Sequence, residues 1–201
     1  ATPTRLDSRG LAEIFECMVE AATTSVLVEQ GSLVRPKVFS HPTQPDLTGV
    51  KITAGDYNEK QLDIACNQAR IRGDIIEHWV ARANNQPSVL FAVSIAHSKA
   101  LIDDFGAAGV VAVHVDGSQP RQERERALTA IRSGEARVLC NVGIVTEGWD
   151  FPQLAVCVLA RPTASISLLL QMWGRVMRPA PGKTEALVLD HAGNVLRHGM
   201  L

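Results

Sequence analysis

The sequence predicts an α/β fold, an open parallel sheet with helices on both faces, and two observations carry that reading. From Ser88 onward, short β-rich runs at 88–93, 110–115, 137–140, 155–159 and 185–190 alternate with stretches of helical spacing. Continuously apolar stretches such as Val89-Leu90-Phe91-Ala92-Val93 suit strands buried on both faces rather than on one. In such a sheet, ligands gather at the carboxyl ends of the strands.

The elements follow in order. Leu11, Ile14, Phe15, Met18 and Val19 recur at helical spacing within 11–30, whereas 31–56 is rich in Pro, Gly and Thr and reads as an extended connector. Ile71, Ile75, Ile76, Trp79 and Val80 mark a helix that leads into the strand at 88. Further helices are expected at 95–108, 119–133 and 165–178. The main domain boundary is expected between about 34 and 56.

With 201 residues, 46% of them hydrophobic, the chain can bury a substantial core. No apolar run approaches the ~18 residues of a membrane span, and the N-terminus lacks the basic and apolar regions of a signal peptide, so a cytoplasmic location is expected. Cys17, Cys66, Cys140 and Cys157 form no C-x-x-C pair and sit among apolar neighbours, as reduced core residues do. The six histidines show no ligand pattern, and no metal site is expected. A net charge of −1 excludes a strongly basic nucleic-acid binder, so any contact with phosphates must be local or shared with a partner domain.

The most informative run is Gln171-Met172-Trp173-Gly174-Arg175-Val176-Met177-Arg178. On a helix, Gln171, Arg175 and Arg178 share one face and Leu168, Leu169, Met172, Trp173, Val176 and Met177 the other. Paired guanidiniums suit the oxygens of a phosphate or carboxylate, although a solvated charged face is the ordinary use of such a stripe. Three other segments fall at strand ends: Ser94 after the first run, Asp116-Gly117-Ser118 after the second, and Asn141-Val142-Gly143 after the third. Taken singly, the Asp116 segment is a turn and helix cap and nothing more.

Taken in order, these segments resemble motifs of the superfamily 2 helicases of DEAD/DEAH-box type, bacterial or phage. The strand 88–94, Asp116-Gly117-Ser118, Thr146-Glu147-Gly148-Trp149-Asp150-Phe151-Pro152 and Gln171-x-x-Gly174-Arg175-x-x-Arg178 look like motifs IV, IVa, V and VI. The opening Ala1-Thr2-Pro3-Thr4-Arg5-Leu6-Asp7 resembles motif III, and Leu189 to Asn194 matches a further family segment. The resemblance implies a RecA-like fold of the P-loop NTPase type, with 1–35 the tail of a first motor domain plus a helix, 36–56 a linker and 57–201 the second motor domain.

It also implies roles. Arg178 and Arg175 would reach the γ-phosphate of ATP with Mg²⁺, Arg178 as the arginine finger, with Gln171 positioning phosphate or water. Gly148 and Asp150 would contact the nucleotide, Asp150 through the ribose. Ser94, Asp116, Gly117, Ser118, Asn141, Val142 and Gly143 would hold a DNA or RNA backbone, with Thr2 and Arg5 coupling hydrolysis to movement. One departure is visible: where many relatives carry a Thr-Asp pair early in motif V, this chain has Val142 and Gly143, which leaves backbone amides as the donors there. His97 is open to a nucleic-acid contact or to a core role.

Neither G-x-x-x-x-G-K-[ST] nor D-E-x-H occurs. Gly182-Lys183-Thr184 has Met177 five residues before Gly182 and follows Pro179-Ala180-Pro181 instead of a strand, which makes it a surface turn. The N-terminal RecA-like domain is therefore an expected partner, no membrane is, and the chain alone is not expected to hydrolyse ATP. A duplex translocase that does not unwind, and a non-catalytic binding module, are the competing readings.

Overall fold

The computed structural model describes residues 16–17, 22–143 and 150–199. A six-stranded sheet with every neighbouring pair parallel runs β1 (Arg35–Ser40), β8 (Glu185–Asp190), β7 (Val156–Leu159), β4 (Ser88–Phe91), β6 (Val138–Val142), β5 (Ala112–Asp116). The five strands expected from the apolar runs are all present, displaced at their ends by three residues or fewer. A parallel neighbour can be reached only by a crossover. Helices α4 (Ile95–Ala107), α5 (Arg121–Ser133) and α6 (Ile166–Gly174) supply three of them.

Alternation along each strand divides the core in two. Val89, Phe91, Leu139, Cys157, Leu159 and Val188 pack on one face with Ile131 of α5 and Leu169, Met172 and Trp173 of α6. Leu90, Val138, Cys140, Val156, Val158 and Leu189 pack on the other with Leu101 and Phe105 of α4 and with α3 (Ala69–Arg82), through Ile71, Ile75, Ile76 and Trp79. Trp79 meets Phe105 edge-on at a centroid distance of 5.5 Å and donates to Ser88 Oγ at 2.8 Å, so its polar atom is satisfied inside the core. Cys66, Cys140 and Cys157 are free and buried, and burial raises Cys66 to about 12. Cys17 is exposed, so the expectation of a core position fails for it.

The expected linker is in part a strand. Residues 35–40 pair with β8 in full register, Val38 opposite Val188 and Ser40 opposite Asp190. An edge strand needs hydrogen bonds on one side only, which is how Pro36 is tolerated, and its outward Arg35 and Lys37 hid it among connector-like residues. Beyond it, β2 (Ile52–Thr53) and β3 (Asp56–Tyr57) form a hairpin whose turn residues, Ala54 and Gly55, have φ of 51° and 85°. Two successive positive φ values match the twist of a tight hairpin. Helix α2 (Glu59–Cys66), capped by Asn58, was also unforeseen. Of the helix expected over 11–30, α1 (Thr24–Glu29) is present; Leu11, Ile14, Phe15, Met18 and Val19 lie outside the described residues. No helix among the described residues is long and apolar enough to cross a membrane.

Because Leu90 lies in the central strand with no exposure, Leu90→Ala is expected to lower the unfolding free energy by about 2–5 kcal/mol. Ile64→Ala, at an exposed position of α2, should change it by less than about 0.5 kcal/mol. Urea denaturation of the two variants checks both values.

Candidate functional site

Parallel strands end together, so the loops after β4, β6 and β5, three neighbours in the sheet, share its carboxyl edge. Ser94 caps α4 by accepting from the His97 amide at 3.0 Å and donates to Asp63 of α2 at 2.5 Å. Next along the edge, Asp116 is buried. One carboxylate oxygen accepts from the amide and hydroxyl of Ser118 at 2.6 and 2.5 Å, and the other lies 2.6 Å from His114 Nε2. Burial raises its pKa, but the Ser118 bonds and His114 outweigh it and hold the carboxyl below the usual range. Asp116 therefore orders the loop, and the exposed surface is left to Gly117 and Ser118. His114, which also meets Ser98 Oγ at 2.7 Å, carried no sequence signal.

Asn141 and Val142 end β6, and Gly143 leaves the strand at φ 75°. Beside them a cavity of about 160 Å³ is lined by Phe91, Ala92, Asn141, Gly143, Arg161, Leu168 and Met172. Arg161 is anchored from the hairpin, where Asp56 accepts from it at 3.1 Å and from Thr163 Oγ1 and the Ala164 amide at 3.1 and 2.8 Å. The loop that starts α6 is thus held by Asp56, within the expected linker 36–56. His97 is fully buried, and burial pushes it down to about 4, so its role is in the core.

The arginine run is built differently from its helical reading. Helix α6 stops at Gly174; Arg175 keeps helical angles as its C-cap, and Arg178 lies beyond it. Gly174 weakens the helix, and Pro179 disfavours helical backbone at the residue before it. The single helical face therefore does not extend to Arg178. Its partition does persist: Met172, Trp173, Val176 and Met177 are buried, while Gln171, Arg175 and Arg178 are partly exposed. Since α6 runs back against the strands, its end lies near their amino ends, where the Val34 amide bonds the Met177 carbonyl at 2.8 Å. There Arg178 Nη1 bonds and ion-pairs with Asp150 Oδ1, the partners lying 28 residues apart in the chain. The structure brings Arg178 and Asp150 together and sets them away from the carboxyl-edge loops. Gly148, Thr2 and Arg5 lie outside the described residues.

Residues 71–180 match the model of the helicase conserved C-terminal domain. The chain belongs to that family. This helicase domain is 36% identical over 200 residues to a 51.5 kDa protein of a Lactococcus phage, spanning 100% of this chain and 44% of that protein. It is 31% identical over 196 residues to "Putative ATP-dependent helicase IRC3" of Saccharomyces cerevisiae, spanning 96% of this chain and 28% of that protein. The chain thus spans less than half the length of either relative. In fold it is similar to a fragment of a putative HsdR subunit of a type I restriction enzyme from Vibrio vulnificus, with a TM-score of 0.74 at 19% identity, covering 100% of this chain and 40% of that one. The RecA-like open sheet and the superfamily 2 assignment both hold. Among the described residues, no group of three His, Cys, Asp or Glu side chains is arranged to hold a metal.

Past β8 the helicase domain holds a histidine group that sequence spacing did not reveal. His78 of α3 lies 2.9 Å from His191, and His41 stacks on His191 at a centroid distance of 5.0 Å. Burial, then His78 and His41, pushes His191 down to about 3. Its folded pKa lies below the unfolded value near 6.5, so between those values the unfolded chain binds more protons and stability falls as pH falls. The urea midpoint is expected to drop from pH 6.5 toward 3 and to drop less in His191→Gln; equal slopes in the two proteins would refute the assignment.

Proposed function

We propose that this domain is the second motor domain of an ATP-dependent helicase, completing an ATP site shared with an N-terminal RecA-like domain and holding a nucleic-acid backbone along its sheet edge. The observation that carries the reading is the Arg178–Asp150 pair beside Arg175 and Gln171 at the end of α6. Arg178 rests on a carboxylate whose side chain is 69% exposed. Exposed pairs of this kind contribute only about 0–1 kcal/mol, so the guanidinium can be exchanged onto a stronger, desolvated anion at small cost. A triphosphate held by a facing domain is such an anion, and Asp150, once released, is a carboxylate acceptor for ribose hydroxyls.

In this reading Arg178 is the arginine finger, Arg175 a second phosphate contact, Gln171 the residue that positions phosphate or water, and Gly148 a backbone contact to the nucleotide. The Mg²⁺ that accompanies ATP is held by the first domain, for which Thr2 and Arg5 are coupling residues. ATP-dependent chemistry is supported by the name of the yeast relative.

At the carboxyl edge, Ser94, the Asp116–Ser118 loop and the Asn141–Gly143 backbone offer hydroxyl and amide donors, which position a phosphate chain without reading its sequence. A nucleic-acid partner is supported by two proteins of the same fold: LlaBIII solved bound to DNA, and S. cerevisiae Dbp5 solved bound to RNA and ADP BeF3. The motor domain in this reading begins at β1 rather than at residue 57, because β1 completes the sheet. Its place of work is the cytoplasm.

In the protein with both motor domains, Arg178→Ala should leave ATP affinity within a few fold while turnover falls by roughly 10³–10⁵. Steady-state ATPase and nucleotide-binding titrations measure the two separately, and an unchanged turnover rate would falsify the finger assignment. The 201-residue chain alone should show no turnover above a heat-treated control.

A further inference from the structure

We propose that Lys183 is a positioning residue for the nucleotide-facing loops, its ammonium tying the segment that carries Arg178 to the segment that carries Asp150. The proposal rests on the reading of Arg178 and Asp150 given above. Lys183 Nζ donates to the carbonyls of Pro152, Leu154 and Arg178 at 2.9, 2.6 and 2.9 Å. An ammonium has three donors and no acceptor, so these three bonds use it completely.

Its partners belong to two different connections, the one that enters β7 and the one that leaves α6. The connection after α6 has few backbone donors of its own, because Pro179 and Pro181 lack an amide hydrogen. It turns back at Gly182, where φ is 77°, and the Lys183 amide bonds the Ala180 carbonyl at 3.0 Å. The turn thereby delivers a side chain to the backbone of the candidate finger residue itself. Geometry at a transferring phosphate tolerates little displacement, and a shift of about 1 Å can cost roughly 10²-fold in rate.

Among the described residues, few charged groups surround the clamp. Behind it, a cavity of about 510 Å³ is lined by Lys37 of β1, Arg82 of α3 and Glu185 of β8 besides Lys183, and on the other side lie Arg178 and Asp150. Burial lowers Lys183 to about 8. A neutral amine keeps two N–H groups for three carbonyls, so one tie is lost as the pH rises through that value. Folding is not weakened by the same change: the folded pKa lies below the unfolded 10.5, so between about 8 and 10.5 the unfolded chain binds more protons and stability rises with pH. A positioning role therefore separates from a merely structural one.

The test compares Lys183→Met, Lys183→Arg and the parent. In the 201-residue chain, hydrogen exchange should quicken over 150–154 and 175–180 in Lys183→Met, with far less change in Lys183→Arg and with exchange in β4 unaltered. In the protein with both motor domains, Lys183→Met should lose at least about tenfold in kcat with KM for ATP within about twofold. The parent should lose turnover as pH rises through about 8, and Lys183→Arg should keep turnover without that alkaline limb. Parent-like exchange over both segments in a folded Lys183→Met overturns the clamp, whatever Arg178→Ala does. Quickened exchange with unchanged turnover overturns the positioning role if Arg178→Ala is inactive; if Arg178→Ala is fully active, the finger reading fails instead and the exchange result alone upholds the clamp.

Discussion

Every other feature of this domain depends on a sheet whose neighbouring strands are all parallel. Parallel pairing forces each connection to travel the length of the sheet, and the helices that do so cover both faces. The strands can then be apolar throughout, and the alternation of Val89 and Phe91 with Leu90 serves two cores at once. The same constraint gathers all the outgoing loops at one edge and all the returning ones at the other. The Ser94, Asp116–Ser118 and Asn141–Gly143 segments therefore lie at one edge, and the Arg178–Asp150 pair lies toward the other.

The two ends are stiffened by different means. At the carboxyl edge, carboxylates do the ordering, Asp116 buried and Asp56 partly buried. Asp116 takes two donors from Ser118, while Asp56 holds Thr163 and Ala164 and pairs with Arg161. These acids are satisfied by hydrogen bonds, which is what makes their burial tolerable. Near the amino ends the organiser is a cation, Lys183, bound to main-chain carbonyls. Arg178, in contrast, has a side chain 38% exposed and leans on an exposed acid. A firmly held backbone here carries a loosely held side chain.

Much of this architecture is legible in the sequence. Short β-rich runs marked five of the six strands in the sheet, and the spacing of Met172, Trp173, Val176 and Met177 marked the buried side of the arginine segment. The edge strand β1 was not legible, because Arg35, Pro36 and Lys37 are what an edge tolerates and also what a linker contains. The surface turn expected at Gly182-Lys183-Thr184 is present, but the inward course of the Lys183 side chain was not legible. Gly and Pro on either side do make a turn, but the destination of a four-carbon side chain is not a local property. His41, His78 and His191, distant in sequence, meet only because β1 and β8 pair and α3 packs beside them.

The sequence by itself determined the fold class and the family, because periodicity and motif order are local or ordered along the chain. Tertiary structure decided where particular side chains stand: that Arg178 leaves the helix and meets Asp150, that Asp116 is spent on its own loop, and that Lys183 turns inward to three carbonyls. Each is a contact between segments far apart in the chain or a competition for one donor, and such outcomes are settled by packing and hydrogen-bond saturation rather than by any pattern within a window of residues.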